Sequence, residues 1–197
     1  MSVAQRSGFT LELVEWRPRL PTVDDVEASP DQVAVVDEVA PNPRGGRAYY
    51  ALLAHDPPVL RERTALFNAV MYGSSGVRRS DRELAAVATS RVNGCIYCAS
   101  VHARLFAQLT KDAETIQRLL NDGVDAPLDE RERAVVDFAV KVARDPAGLG
   151  AADLAPLRQA GLSDLEILDV THAAAMFAWA NRLMQTLGQS VPPAPAT

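Results

Sequence analysis

From Ala48 to Leu187 the chain reads as a succession of helical segments with short breaks, a pattern that favours an all-α fold. Helices are expected at Arg47 to Ala54, Pro58 to Met71, Asp81 to Val92, Cys95 to Leu109, Ala113 to Asn121, Glu130 to Arg144, Ala152 to Ala160 and Asp164 to Leu187. The clearest apolar stripe is Val135, Val136, Ala139, Val142 and Ala143, spaced to turn one face inward. Three starts share one signature: Ser80-Asp81-Arg82-Glu83, Asp129-Glu130-Arg131-Glu132 and Ser163-Asp164-Leu165-Glu166. Each sets a capping residue three positions before a glutamate, which satisfies the orphan backbone donors of a helix N-terminus. On that reading Glu83 folds back as a cap.

The ends differ from the middle. Met1 to about Arg47 carries Pro18, Pro21, Pro30, Pro41 and Pro43, which interrupt any long helix. We read residues 1–47 as an extended arm with a short helix at Asp31 to Val39, lying on the body or on a neighbouring subunit. Thr10-Leu11-Glu12-Leu13 has the alternation of a strand, yet no obvious partner. Residues 48–190 are then one compact all-α domain, and 191–197 a disordered Pro-rich tail.

Composition narrows the partners. An apolar share of 48% with 23% charged residues fits an ordinary soluble globular domain. The net charge of -5 argues against nucleic acid, whose binders show a basic excess. No apolar run is long enough to span a membrane, and Met1 to Leu20 lacks the pattern of a signal peptide. The expected location is the cytoplasm, where thiols are held reduced.

Both cysteines of the chain fall in Asn93-Gly94-Cys95-Ile96-Tyr97-Cys98-Ala99-Ser100-Val101-His102. Steps of three and four residues place Cys95, Cys98 and His102 on one face of a helix. Asn93-Gly94 is a turn signal, so both thiols belong near the first turn, where the helix dipole favours a thiolate. Reversible dithiol–disulfide cycling is the natural use. Cys98 is the candidate attacking thiol, Cys95 the resolving thiol, and His102 the proton carrier. A structural zinc would want four ligands, and one C-x-x-C with one histidine falls short. No metal or cofactor is expected.

The stretch from Glu83 through Cys95, Cys98 and His102 resembles the AhpD-like alkylhydroperoxidase and carboxymuconolactone decarboxylase superfamily, and more narrowly its peroxidase-related members. The resemblance rests on a glutamate twelve residues before the first cysteine, the C-x-x-C itself, and a histidine four residues after the second cysteine. It is strongest from about Ser80 to Phe106. It implies an AhpD-like all-α fold, a homo-oligomer, and reduction of a small-molecule hydroperoxide by Cys98, with Cys95 resolving and Glu83 and His102 as a proton relay. A dihydrolipoyl-bearing reductant protein is implied as well. The chain departs from many hydroperoxide reductases of the family in having Tyr97, where they often carry histidine just before the second cysteine.

Two other functions stay open: a non-catalytic redox sensor or oligomeric binding protein, and a lactone decarboxylase, against which the dithiol argues. Tyr97 is read as a packing residue, His55 as a helix C-terminal residue and His172 as a core or interface histidine. Phe177, Trp179 and Met176 either pack the core or wall a peroxide pocket. Gly45-Gly46 is a turn.

Overall fold

The structure is a computed structural model that describes residues 8–40, 46–74, 76–191 and 193. Its helices are α1 (Pro30–Val39), α2 (Arg47–Leu53), α3 (Pro57–Tyr72), α4 (Arg79–Asn93), α5 (Ile96–Thr110), α6 (Ala113–Asp122), α7 (Glu130–Arg144), α8 (Ala155–Gln159) and α9 (Asp164–Leu187). Two strands, β1 (Glu15–Pro18) and β2 (Gly188–Val191), form a small antiparallel sheet. The all-α expectation holds, with helix ends within a few residues of those read from the sequence. Among the described residues no helix is long and apolar enough to cross a membrane.

Local chemistry explains most of the starts. Ser29, Asp129 and Ser163 each accept a bond from the backbone three residues on, while Gln32, Glu132 and Glu166 reach back, closing capping boxes on α1, α7 and α9. Asp56 and Asp112 cap α3 and α6 alone. The third box expected from sequence does not form. Helix α4 begins at Arg79, so Ser80 lies inside it and Glu83 is free of any capping role.

Helix α4 is the axis of the molecule, packed against α5, α7 and α9. From Asp81 to Arg91 every residue is buried, including four that carry charge. Buried charges require partners, and each of these has one. Asp81 receives Arg131 at 2.8 Å, Arg82 meets Asp169 at 3.2 Å, Glu83 meets His102, and Arg91 donates to the Leu120 carbonyl at 3.1 Å. On α7 the inward face is Ala134, Val135, Val136, Phe138 and Ala139, while Val142 and Ala143 are only half-buried.

The N-terminal segment lies on this body. Phe9 sits beneath the Arg91 guanidinium at 4.3 Å, and Trp16 is buried with its indole N–H donating to Met184 O at 2.9 Å. The strand is therefore not at Thr10 to Leu13 but at Glu15–Pro18, and its partner comes from the other end of the chain, Trp16 opposite Ser190. Strand β2 takes in Val191, the first residue of the expected tail; Pro192 and 194–197 lie outside the described residues. A smaller apolar cluster of Val23, Val35, Val36, Ala51, Ala54 and Leu60 joins α1, α2 and α3.

Candidate active site

Helices α4 and α5 meet at a tight break. Gly94 ends α4 in the left-handed region at φ +79°, and Cys95, in extended conformation, is the N-cap of α5. Cys98 therefore falls in the first turn, and the two Sγ atoms approach to 2.7 Å. Both thiols are free and buried. One turn on, His102 reaches back across α4, its Nδ1 2.5 Å from Glu83 Oε2. Arg79 holds the other carboxylate oxygen, Nε to Oε1, at 2.6 Å. The Phe177 ring packs edge-on against the imidazole at 4.3 Å.

Charge in this cluster follows from position. Burial pushes the Glu83 carboxyl up, but His102 and Arg79 together outweigh it and leave the group below the usual carboxylate range. A carboxylate on Nδ1 sets the tautomer of a neutral imidazole, with N–H on Nδ1 and the basic lone pair on Nε2. The thiols diverge. The Cys98 thiol beside Cys95 lowers it, aided by the Cys98 backbone N–H and the Asn181 side chain against the effect of burial. Burial first, and Cys95 second, drive Cys98 well above the ordinary thiol range. The two thiols titrate as a coupled pair, which gives up one proton before the other.

A cavity of about 260 Å³ opens on this cluster. Cys98 and His102 line it and Cys95 does not. Access therefore selects Cys98 while acidity selects Cys95. The 2.7 Å contact reconciles the two, because a proton can cross from one sulfur to the other. All four tyrosines of the chain, Tyr49, Tyr50, Tyr72 and Tyr97, line the same cavity, together with Arg63, Arg104 and Phe67. Tyr97 is a wall of the site as well as a packing residue, and its backbone N–H is tied to Ser190 Oγ of β2 at 3.1 Å. Burial raises the Tyr49 and Tyr97 hydroxyls to about 12, so both stay protonated.

The other sequence candidates fall elsewhere. Phe177 walls the cavity, Met176 lies in the core, and Trp179 borders a separate shallow groove with Val59 and Leu66. His55 follows the end of α2 and pairs with Pro21 O at 2.9 Å, and His172 is exposed on α9 rather than in the core. The sequence reading missed Asn181. Fully buried, it donates to Ser90 Oγ at 3.0 Å, accepts from Asn93 Nδ2 at 3.1 Å, and favours the ionised form of either thiol. An amide directly after the apolar run Met176-Phe177-Ala178-Trp179-Ala180 was the available signal.

With this geometry in view, comparison with known proteins is decisive for the family. Residues 57–139 match the carboxymuconolactone decarboxylase family. The structure of an uncharacterized peroxidase-related protein from Silicibacter sp. TM1040 is 31% identical, covers 87% of this chain and 92% of its own, and superposes with a TM-score of 0.69. The chain belongs to the AhpD-like, carboxymuconolactone decarboxylase superfamily. A second AhpD-like structure, an uncharacterized peroxidase-related protein from Ralstonia eutropha JMP134, is 28% identical over 87% of this chain and 90% of its own, with a TM-score of 0.72. The debrominase Bmp8, at 18% identity, 86% and 87% coverage and a TM-score of 0.63, shares the AhpD-like fold. Among curated proteins none matches.

Proposed function

We propose that the protein is a thiol-dependent hydroperoxide reductase that cycles the Cys95–Cys98 dithiol. One observation carries this reading: Cys98 faces a cavity beside His102, with a second thiol 2.7 Å behind it.

The chemistry balances with the groups present. His102 takes one proton from the pair, and Glu83 holds the ring in place through Nδ1. Cys95 then accepts the Cys98 proton, leaving a thiolate on the cavity wall. That thiolate attacks one oxygen of R–O–O–H. An S–O bond forms, the O–O bond breaks with its electron pair on the departing RO⁻, and His102 returns its proton to give ROH. Sulfur is oxidised by two electrons to Cys98–SOH. The Cys95 thiol attacks that sulfur, an S–S bond forms, and hydroxide leaves with the Cys95 proton as water. A dithiol of the dihydrolipoyl class supplies the two electrons that reopen the bridge.

The proposed setting is the cytoplasm, and the proposed assembly a homo-oligomer. Leu165, Leu168 and Trp179 support the latter, since all three are exposed apolar residues on α9.

Intact mass spectrometry after one equivalent of hydroperoxide tests the chemistry. Wild type should lose two hydrogens, Cys95→Ser should gain one oxygen, and Cys98→Ser should remain unchanged. Oxygen appearing on Cys98→Ser alone would reverse the roles, and an unreactive wild type would end the proposal. Repeated consumption of peroxide with dihydrolipoamide separates an enzyme from a sensor, which reacts once.

A further inference from the structure

Arg63 of α3 is buried to 7% exposure, and among the described residues no carboxylate pairs with it. Its Nε and Nη1 are sealed from solvent without an acceptor. Arg82 and Arg91, buried to a similar degree, each meet an acceptor, and Arg61 two residues away pairs with Asp31 and Glu38. What surrounds Arg63 is aromatic: its guanidinium lies 4.6 Å from the Phe67 ring centre, 5.5 Å from Tyr50 and 5.7 Å from Tyr49. Ring faces attract the cation and fix its plane, but they accept little from its N–H edge, and a desolvated cation costs more than such contacts return.

The guanidinium stands at the edge of a cavity. Arg63 lines the cavity that Cys98 and His102 line. Beside it the Tyr49 hydroxyl is also buried without a hydrogen-bond partner. Arg104 lines the same cavity and is engaged by the Glu12 carbonyl at 2.7 Å. No aspartate or glutamate is among the described residues lining it, since Glu83 is sealed behind His102. Cations and hydroxyl donors thus face a space whose remaining wall is largely aromatic and aliphatic. A planar guanidinium with two unpartnered N–H groups fits a carboxylate.

We propose that Arg63 and Tyr49 form a carboxylate subsite, so that the substrate of the Cys98 centre is a compact apolar hydroperoxide bearing a carboxylate. The substrate assignment rests on the peroxidase reading; the anion site does not.

Calorimetric titration of the full, reduced chain with benzoate and with its neutral counterpart benzamide tests the subsite without turnover. Benzoate should bind at least tenfold more tightly, Arg63→Gln should bring that ratio close to one, and Arg63→Lys should restore part of it. Equal binding by wild type, or a ratio that survives Arg63→Gln, overturns the subsite. If Arg63→Gln does not fold, the wild-type ratio decides alone. Steady-state rates with a carboxylate-bearing hydroperoxide and its methyl ester then test the substrate, the acid being favoured at least tenfold in kcat/KM. Peroxide turnover without charge preference defeats this inference and leaves the peroxidase reading intact. Benzoate selectivity without any turnover keeps the anion site and defeats the peroxidase reading.

Discussion

Glu83 Oε2 lies 2.5 Å from His102 Nδ1, joining two helices through residues nineteen positions apart. The contact makes Glu83 a positioning residue: it fixes the imidazole in place. Glu83→Gln keeps the shape and removes the charge, so kcat/KM for peroxide should fall by about a hundredfold. The linkage has a definite sign. Burial raises the Glu83 carboxyl and His102 with Arg79 lower it further, so the folded group titrates below the unfolded value of about 4.3. The stability it contributes is complete above that value and is lost as pH falls through the folded one. Urea midpoints between pH 6 and 3, in roughly that carboxylate window, should therefore drop less steeply for Glu83→Gln than for wild type. Parallel curves would refute the coupling.

The thiols should titrate apart. Cys98 is the leading cause of the lowered Cys95 value, and burial the leading cause of the raised Cys98 value. Thiolate absorbance should show one ionisation below the free thiol value of about 8.5 and a second well above it. Cys98→Ala should remove the low step and move the surviving Cys95 upward, whereas in Cys95→Ala the remaining thiol should stay high. Two coincident steps near the free value would contradict this order.

How much of this was legible from the sequence depended on distance along the chain. The boxes at Asp129 and Ser163 are complete within four residues, and both form. The same pattern at Ser80 does not, because the Glu83 carboxylate is claimed by His102 and Arg79 in a packed interior. The C-x-x-C and His102 were readable because one helix carries them. Strand β1 was not, since its partner lies at the opposite end of the chain. Arg63 stands beside Arg61 and Glu62 in a mixed helix, and only the folded chain distinguishes it from the half-buried Arg61 and the exposed Glu62.

Asn181 links the thiols to the core. Its side chain bridges Ser90 and Asn93 while lying close enough to both sulfurs to favour their charge. Asn181→Ala should cost about 1–3 kcal/mol by leaving buried polar partners unmet. It should also raise the first thiol ionisation. Chemical denaturation and thiolate absorbance measure the two effects separately, and a stability loss with an unmoved ionisation would make Asn181 purely structural.

Gly46 tests the far wall of the cavity. It caps α2 at φ +77°, a conformation that side chains rarely adopt, and a Cβ built there would stand 2.9 Å from the Tyr97 hydroxyl oxygen. Gly46→Ala therefore meets two penalties, one in its own backbone and one against Tyr97, whose main chain is tied to Ser190. The expected loss is about 1–3 kcal/mol. Adding Tyr97→Phe removes the oxygen that the methyl group meets and leaves the backbone conformation untouched. The double variant should recover part of the loss, giving a non-additive cycle in urea denaturation. Strict additivity would mean that the methyl group never reaches Tyr97.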